Sequence, residues 1–509
     1  MVVAKFGGSS LADANQIRKV FKIVSGDPNK KCVVVSAPGR RSASDPKVTD
    51  MLINCAKARL DALKTPSGDL AGGGSNTAID ASGPADATGE ANADSVARAV
   101  GATGATDSAA KTCALGAAVG AGQGDYGLGA IVERFSSISN ELGLRDEFIS
   151  DIKNDLEDRL SRCGMIADYE FLDLMKAAGE DNCAKLIAAY FNQCGLESVY
   201  VNPKDVGFFL NDDFGNAQVL QETYKNLECL KQAPETLIFP GFFGYTKQGK
   251  VITFSRGGSD ITGSILAAAL DADLYENFTD VSNVFSVDPS IVQNPTPISE
   301  LTYREMRELS YAGFNVYHED ALIPVFEKGI PVHIKNTNDP EAEGTSILPH
   351  RARSKYPVVG ISAAKGFVSI NISKLLMNSE VGFGRRVMQI IEEEGIPFEH
   401  IPSGIDNMSV IINAKFITTK NEENIVRRIA DELEVDEVGV RHNLAIVMLV
   451  GEGMLNTVGT TAKASAALAK ANINLEIINQ GASEVSLMFG LDEKVAEKAV
   501  IALYREFFP

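Results

Sequence analysis

The sequence predicts an α/β protein, with an α/β/α sandwich over residues 1–350 followed by two ferredoxin-like α+β units at 351–435 and 436–509. Three observations carry this. Strand-like and helix-like segments alternate through the first part, the pattern of a mostly parallel sheet covered on both faces. Its strands, such as Cys32-Val33-Val34-Val35, are continuous apolar runs, as burial on both faces requires. After Pro349 the order changes to two β-α-β-β-α-like successions, a repeat at the level of architecture.

Composition narrows the function classes. A chain of 509 residues, 45% hydrophobic and 23% charged, is that of a globular protein with room for several domains. A net charge of −19 repels a polyanion, so no nucleic acid partner is expected. No apolar run approaches the roughly 20 residues of a membrane-spanning helix. The opening residues Met1–Phe6 lack a signal-peptide layout, so a cytoplasmic protein without a membrane partner is expected. The seven cysteines are odd in number and form no C-x-x-C pair, which predicts neither a disulfide framework nor a zinc site, and no metal site of the protein's own is expected. The five histidines begin at His318. Chemistry earlier in the chain therefore rests on lysine, arginine, carboxylates, hydroxyls and backbone amides.

In chain order, residues 2–6 are a strand holding Lys5. It runs into Gly7-Gly8-Ser9-Ser10 and then a helix through Ile17, Val20, Phe21 and Val24, with Asp13 near its start. Lys5 precedes the glycines, whereas the Walker loop puts its lysine after them. A lysine at a strand's carboxyl end beside a helix start still suits a phosphate. The strand Cys32–Val35 ends in Ser36-Ala37-Pro38-Gly39, the kind of strand end where ligands collect in an open parallel sheet. Val48-Thr49-Asp50 opens a further helix. Residues 66–129 then shift to Ala, Gly, Ser, Thr and Asp and read as a flexible acidic insertion with too little apolar surface to offset the entropy of ordering. A helix from Asp168 to Phe191 is expected to break at Ala177-Ala178-Gly179-Glu180, with Glu180 starting its second half.

The stretch from Val251 to Leu270 reads as strand, glycine turn and helix. Gly257 and Gly258 permit the turn, Ser259 or Asp260 would cap the helix, and the helix amides favour an anion. Arg256 precedes the turn, where a guanidinium can grip a carboxylate or phosphate with two parallel hydrogen bonds. Thr279-Asp280-Val281 begins a loop reaching Val287-Asp288-Pro289, and Val332–Thr337 closes the sandwich. Beyond it, strands are expected at Val359–Ser362, Val368–Ile372, Phe398–Ile401 and Met408–Ile412, and a helix at Phe383–Glu394.

These segments together resemble aspartate kinase, in the amino-acid kinase family with C-terminal ACT domains. The resemblance runs through Lys5–Ser10, Ser36-Ala37, Gly179-Glu180, Arg256–Asp260, Thr279–Val281, Val287–Pro289 and Lys335–Thr337, then Val381–Gly384 and Ile478–Glu484, in the family's order. It implies a catalytic domain at 1–350 and ACT domains at 351–435 and 436–509. The implied reaction is transfer of the ATP γ-phosphoryl group to the side-chain carboxylate of L-aspartate, the first step toward lysine, threonine and methionine. A carboxylate with a pKa of about 3.9 is already ionised at neutral pH, so the nucleophile needs no general base. What remains is to bring two anions together, by positioning and electrostatic stabilisation.

Carried over by position, Lys5, Gly8 and Asp260 are implied in catalysis. Ser36, Thr49, Glu180, Arg256 and Ser259 are implied in binding aspartate. Lys5, Gly7, Gly8, Ser9, Thr279, Asp280, Phe285 and Lys335 are implied in binding ATP, whose phosphates carry Mg²⁺. Gly382, Phe383, Gly384, Glu399 and Asp406 resemble the amino-acid effector site, for lysine or threonine. A homodimer or homotetramer through the ACT domains is expected. The chain departs from the family at Ala177-Ala178, where serine is common before Gly-Glu, and at Phe285 and Ser290, where relatives often carry tyrosine and a basic residue. Two other readings fit the sequence: an amino-acid sensor without turnover, and a kinase for another acidic amino acid.

Overall fold

The computed structural model describes residues 1–64, 127–255, 257–314, 317, 319–352, 356–455, 457–481 and 483–508. The expected insertion at 66–129 therefore lies outside the described residues, except at its end, where a helix already starts at Leu128. An eight-stranded sheet forms the first unit. Its order is Glu300–Thr302, Thr345–Leu348, Val332–Asn336, Leu274–Thr279, Val2–Phe6, Lys30–Val35, Thr236–Pro240, Ser198–Tyr200. Neighbouring strands are parallel except where Val332–Asn336 meets Thr345–Leu348.

The Lys5 strand sits inside this sheet, between Lys30–Val35 on one side and Leu274–Thr279 on the other. Chain order therefore reverses at its carboxyl end, the kind of crevice where open α/β sheets bind ligands. Side chains alternate between two cores. Val3, Cys32 and Val34 belong to one, Ala4, Phe6, Val33 and Val35 to the other. Lys5 shares the Val3 face by the period of the strand. The helix Gly258–Ala269, buried almost all round, covers that face.

Two expectations about helices are corrected. Asp168–Gln193 is one unbroken helix, with Gly179 and Glu180 buried in its middle. The glycine is there for packing: a Cβ at Gly179 would lie 2.8 Å from Ala37 Cβ and 3.2 Å from Leu52 Cδ1. Nor does Ser259 or Asp260 cap the central helix. Gly257, at φ 80°, is the N-cap, so both residues fall in the first turn.

The regulatory part differs from two consecutive units. One antiparallel sheet runs Asn407–Asn413, Gly360–Ser373, Glu437–Val450, Ser486–Asp492, Ile477–Gln480. The two strands expected at Val359–Ser362 and Val368–Ile372 are a single strand with a register shift around Gly366, which sits at φ 86°. Its first half pairs with Ala445–Val450, and its second half with Asn407–Asn413 and Glu437–Arg441. Val358 and Ile361 accordingly pack in the core of the second unit, whereas Ile370 and Ile372 pack in that of the first. The first unit is thus inserted within the second, and the expected boundary at 435/436 parts each core from some of its own strands. Phe398–Ile401 is not a continuous strand; His400 makes an isolated bridge to Ile411.

A buried ion pair joins the two parts. Glu305, fully buried, accepts two bonds from Arg351 at 2.9 and 2.6 Å and one from the Glu452 backbone at 2.8 Å. Removing one partner of a buried pair leaves the other charge uncompensated, so Arg351→Ala is expected to cost about 3–5 kcal/mol in urea unfolding. Gly179→Ala is expected to cost about 1–3 kcal/mol by overpacking, read from the same transition.

Candidate active site

The site is assembled at the carboxyl ends of the central strands. Lys5 is buried, and its Nζ lies 2.5 Å from Asp260 Oδ1 in the first turn of the covering helix. Asn277, the in-register neighbour of Lys5, donates from Nδ2 to that Asp260 oxygen at 2.8 Å. Tyr275 on the same strand donates to the Asp260 carbonyl at 3.2 Å, anchoring the helix end. The sequence placed Lys5 and Asp260 in the site. It did not reveal Asn277, whose one signal is a polar residue within an otherwise strand-like run; its partner emerges only from strand register.

Above Lys5 the two strand ends interlock. A Cβ at Gly7 would stand 3.6 Å from Lys5 Nζ, and one at Gly39 would stand 2.4 Å from the Gly8 carbonyl carbon. Gly39 donates its N–H to Gly8 O at 2.8 Å, and Ser36 donates to Phe6 O at 3.2 Å. Only glycine permits this approach of backbone to backbone. Ser9 continues the Gly8–Leu11 turn, which Ser10 ties to Thr337 by a 2.7 Å hydroxyl contact.

From Gly8 the contacts continue to Glu180. A Cβ at Gly8 would be 3.0 Å from Ala37 O, and the Ala37 N–H donates to the Glu180 carboxylate. Thr49 lies in the first turn of the helix Val48–Lys64, whose Val48 packs against Gly179. Glu180 is 5% exposed, and its Oε2 has no hydrogen-bond partner among the described residues. Burial pushes its carboxyl up to about 8, against the pull of the backbone N–H groups of Ala37 and of Glu180 itself. Such an orphaned carboxylate is stabilised by a cation brought to it.

The remaining positions occupy the neighbouring strand ends. Ser259 is buried against Gly241, where a Cβ would come within 2.7 Å of its Oγ. Arg256 lies outside the described residues. Thr279 ends the strand next to Lys5, its hydroxyl donating to exposed Asp280 at 3.1 Å, and Lys335 lies near the end of the next strand, opposite Phe278. Phe285 lines a cavity of about 240 Å³ with Val281, Phe314, Ile361 and Val500, so this cavity is walled by both parts of the protein.

The proposed effector positions divide. Gly382, at φ 81°, caps the helix Phe383–Glu393, whose Phe383 is buried. Gly384 faces only Met408 Cε, at 3.7 Å from where its Cβ would be. Asp406 accepts from the Leu376 N–H at 2.8 Å, at the turn that leads into this helix. Glu399 instead accepts from the Tyr311 hydroxyl of the first part.

Comparison with known proteins places the family. Residues 1–336 match the amino acid kinase family, and residues 447–507 an ACT domain. Aspartokinase 3 of Bacillus subtilis (strain 168) is 51% identical over 509 residues, covering 100% of this chain and 99% of its own. The chain belongs to the aspartokinases. It is therefore an ATP-dependent phosphotransferase acting on L-aspartate, with an ACT regulatory part. The crystal structure of Clostridium acetobutylicum aspartate kinase is 33% identical, with a TM-score of 0.76 and full coverage of both chains. That of E. coli aspartokinase III in complex with aspartate and ADP, 21% identical with full coverage of both chains, shares the fold at a TM-score of 0.74.

Glu180 makes this aspartokinase sensitive to pH in a defined direction. Its folded-state pKa, about 8, exceeds the ordinary value of 4.5, so between these pH values the unfolded chain releases a proton that the folded chain keeps. Its contribution to stability therefore falls as pH rises through that window. Melting of the ligand-free protein is expected to show this decline. Glu180→Gln is expected to flatten it.

Proposed function

We propose that Lys5, held by Asp260, is the cation that draws the γ-phosphate of ATP and the aspartate carboxylate together. The buried Lys5–Asp260 pair beneath the two interlocked glycine turns is the observation that carries this reading. The Glu180 oxygen left without a partner takes the α-ammonium of aspartate, and Thr49, Ser36 and Ser259 surround the substrate. Arg256 grips an aspartate carboxylate. The nucleotide extends over Gly7, Gly8 and Ser9 toward Thr279, Asp280 and Lys335, with Phe285 beside its base. Asp260 is already engaged by Lys5 and Asn277, and Asp280 is exposed. Mg²⁺ is accordingly held mainly by the phosphate oxygens, where it neutralises charge, as this ion commonly is in phosphoryl-transfer sites.

The product is 4-phospho-L-aspartate, formed in the cytoplasm for lysine, threonine and methionine synthesis. Among the described residues no helix is long and apolar enough to cross a membrane. Lysine or threonine binds at Gly382, Phe383 and Gly384 with Asp406. An effector ammonium that reaches Glu399 competes with the Tyr311 hydroxyl and so alters a contact between the two parts. Leu375, Leu376, Val381 and Ile405 are exposed apolar residues in the same unit, Val381 to 98%, which supports dimer or tetramer assembly through this face.

The activity test is aspartate-dependent ATP turnover, with the acyl phosphate trapped as hydroxamate. Lys5→Ala is expected to lower kcat by ~10²–10³-fold, the usual effect of removing one preorganised charge-stabilising donor. Turnover near the wild-type rate would remove Lys5 from the mechanism. Val381→Asp combined with Ile405→Asp is expected to lower the assembly mass in light scattering; an unchanged mass would place the interface elsewhere.

A further inference from the structure

We propose that Asn277 is a positioning residue for phosphoryl transfer, one that fixes the direction in which the Lys5 ammonium presents its free N–H. This rests on the assignment of Lys5 to the transferring phosphoryl group. Asn277 is 3% exposed and lies directly across from Lys5 on the adjoining parallel strand. Its two amide atoms are used in opposite senses. Nδ2 donates to Asp260 Oδ1 at 2.8 Å, and Oδ1 accepts from Lys5 Nζ at 3.4 Å, closing a ring with the 2.5 Å Lys5–Asp260 contact.

The ring has a geometric consequence. An ammonium has three N–H groups in fixed tetrahedral directions, and a single acceptor leaves two of them free. Here Asp260 and Asn277 hold two, and the Gly7 turn lies beside the ammonium, where a Cβ would be 3.6 Å from Nζ. Asp260 alone would supply the countercharge and leave two N–H groups unclaimed; Asn277 takes one of them, so a single N–H remains to be presented. Both carboxylate contacts also fall on one oxygen, Oδ1, so the Asn277 amide holds Asp260 in the rotamer that faces Lys5. A leucine would keep the volume and lose both bonds. An aspartate would keep the shape but replace the donor with a second acceptor.

Steady-state kinetics on the full-length enzyme separate this role from a structural one. Asn277→Leu is expected to lower kcat by about 10²-fold, the scale of a small misplacement of a reacting group. KM for aspartate should stay within about threefold, since the Glu180 side of the site is untouched. Asn277→Asp is expected to be impaired at pH 8 and to regain activity as pH falls toward 6. Two carboxylates at hydrogen-bond distance share a proton, and the protonated one donates as the amide did. The ionisable groups around this position are Lys5, Asp260 and the hydroxyls of Tyr275 and Tyr317, and the wild-type pH profile controls for all four. Asn277→Leu with kcat within about twofold of wild type would overturn the proposal. So would an Asn277→Asp profile parallel to the wild-type one, which decides the matter if the leucine variant does not fold. A wild-type enzyme without aspartate-dependent turnover would refute the activity reading instead, and is recognised before any variant is compared.

Discussion

The structure depends on holding one positive charge inside the sheet. Lys5 is buried at the carboxyl end of an interior strand, and an ammonium there is tolerable only because Asp260 reaches it from the covering helix. Asp260 stands in the first turn of the helix that starts at Gly258, after Gly257 at φ 80°, and Asn277 bonds the same carboxylate oxygen. The proposed reaction would draw on the same arrangement. Two anions must approach each other, and a preorganised charge in a water-poor crevice stabilises the charge of the transition state without reorganising.

The substrate side works by the opposite imbalance. Glu180 is a buried carboxylate with one oxygen unserved, and burial raises its pKa. In the function proposed above, the ammonium of aspartate would supply the missing countercharge. The neighbouring Gly179 is held to glycine by a separate constraint, its close packing on Ala37 and Leu52. The regulatory sheet approaches the nucleotide side. The Ile361 N–H donates to Ser286 O at 2.7 Å, and the Ser362 hydroxyl donates to Ala312 O. The loop carrying Phe285 is thus hydrogen-bonded to a strand that runs onward into the unit with the proposed effector positions. A shift of that strand has a direct mechanical path to the loop, with no intervening linker.

Much of this was legible in the chain. Continuous apolar strands, glycine turns and the position of Lys5 before its glycines carried the sheet and the meeting of Lys5 with the Gly7–Gly8 turn. Local patterns failed where tertiary contact decides. Gly179 looked like a helix break because helix propensity disfavours glycine, yet close packing on Ala37 and Leu52 requires it inside a continuous helix. The nesting of the two regulatory units was hidden because one long strand serves both, and no residue pattern announces which half pairs with which neighbour. Asn277 was hidden for a related reason: its meaning lies in register with Lys5, 272 residues away.

The most direct measurement of the central claim is a crystal structure of the enzyme with ADP, Mg²⁺, L-aspartate and a metal-fluoride mimic of the transferring phosphoryl group. The mimic is expected to bond to Lys5 Nζ between the Gly7–Gly8 turn and the aspartate carboxylate, with Asp260 and Asn277 still on Lys5 and the substrate ammonium on Glu180. A mimic bound away from Lys5, or an aspartate oriented with its ammonium away from Glu180, would contradict it.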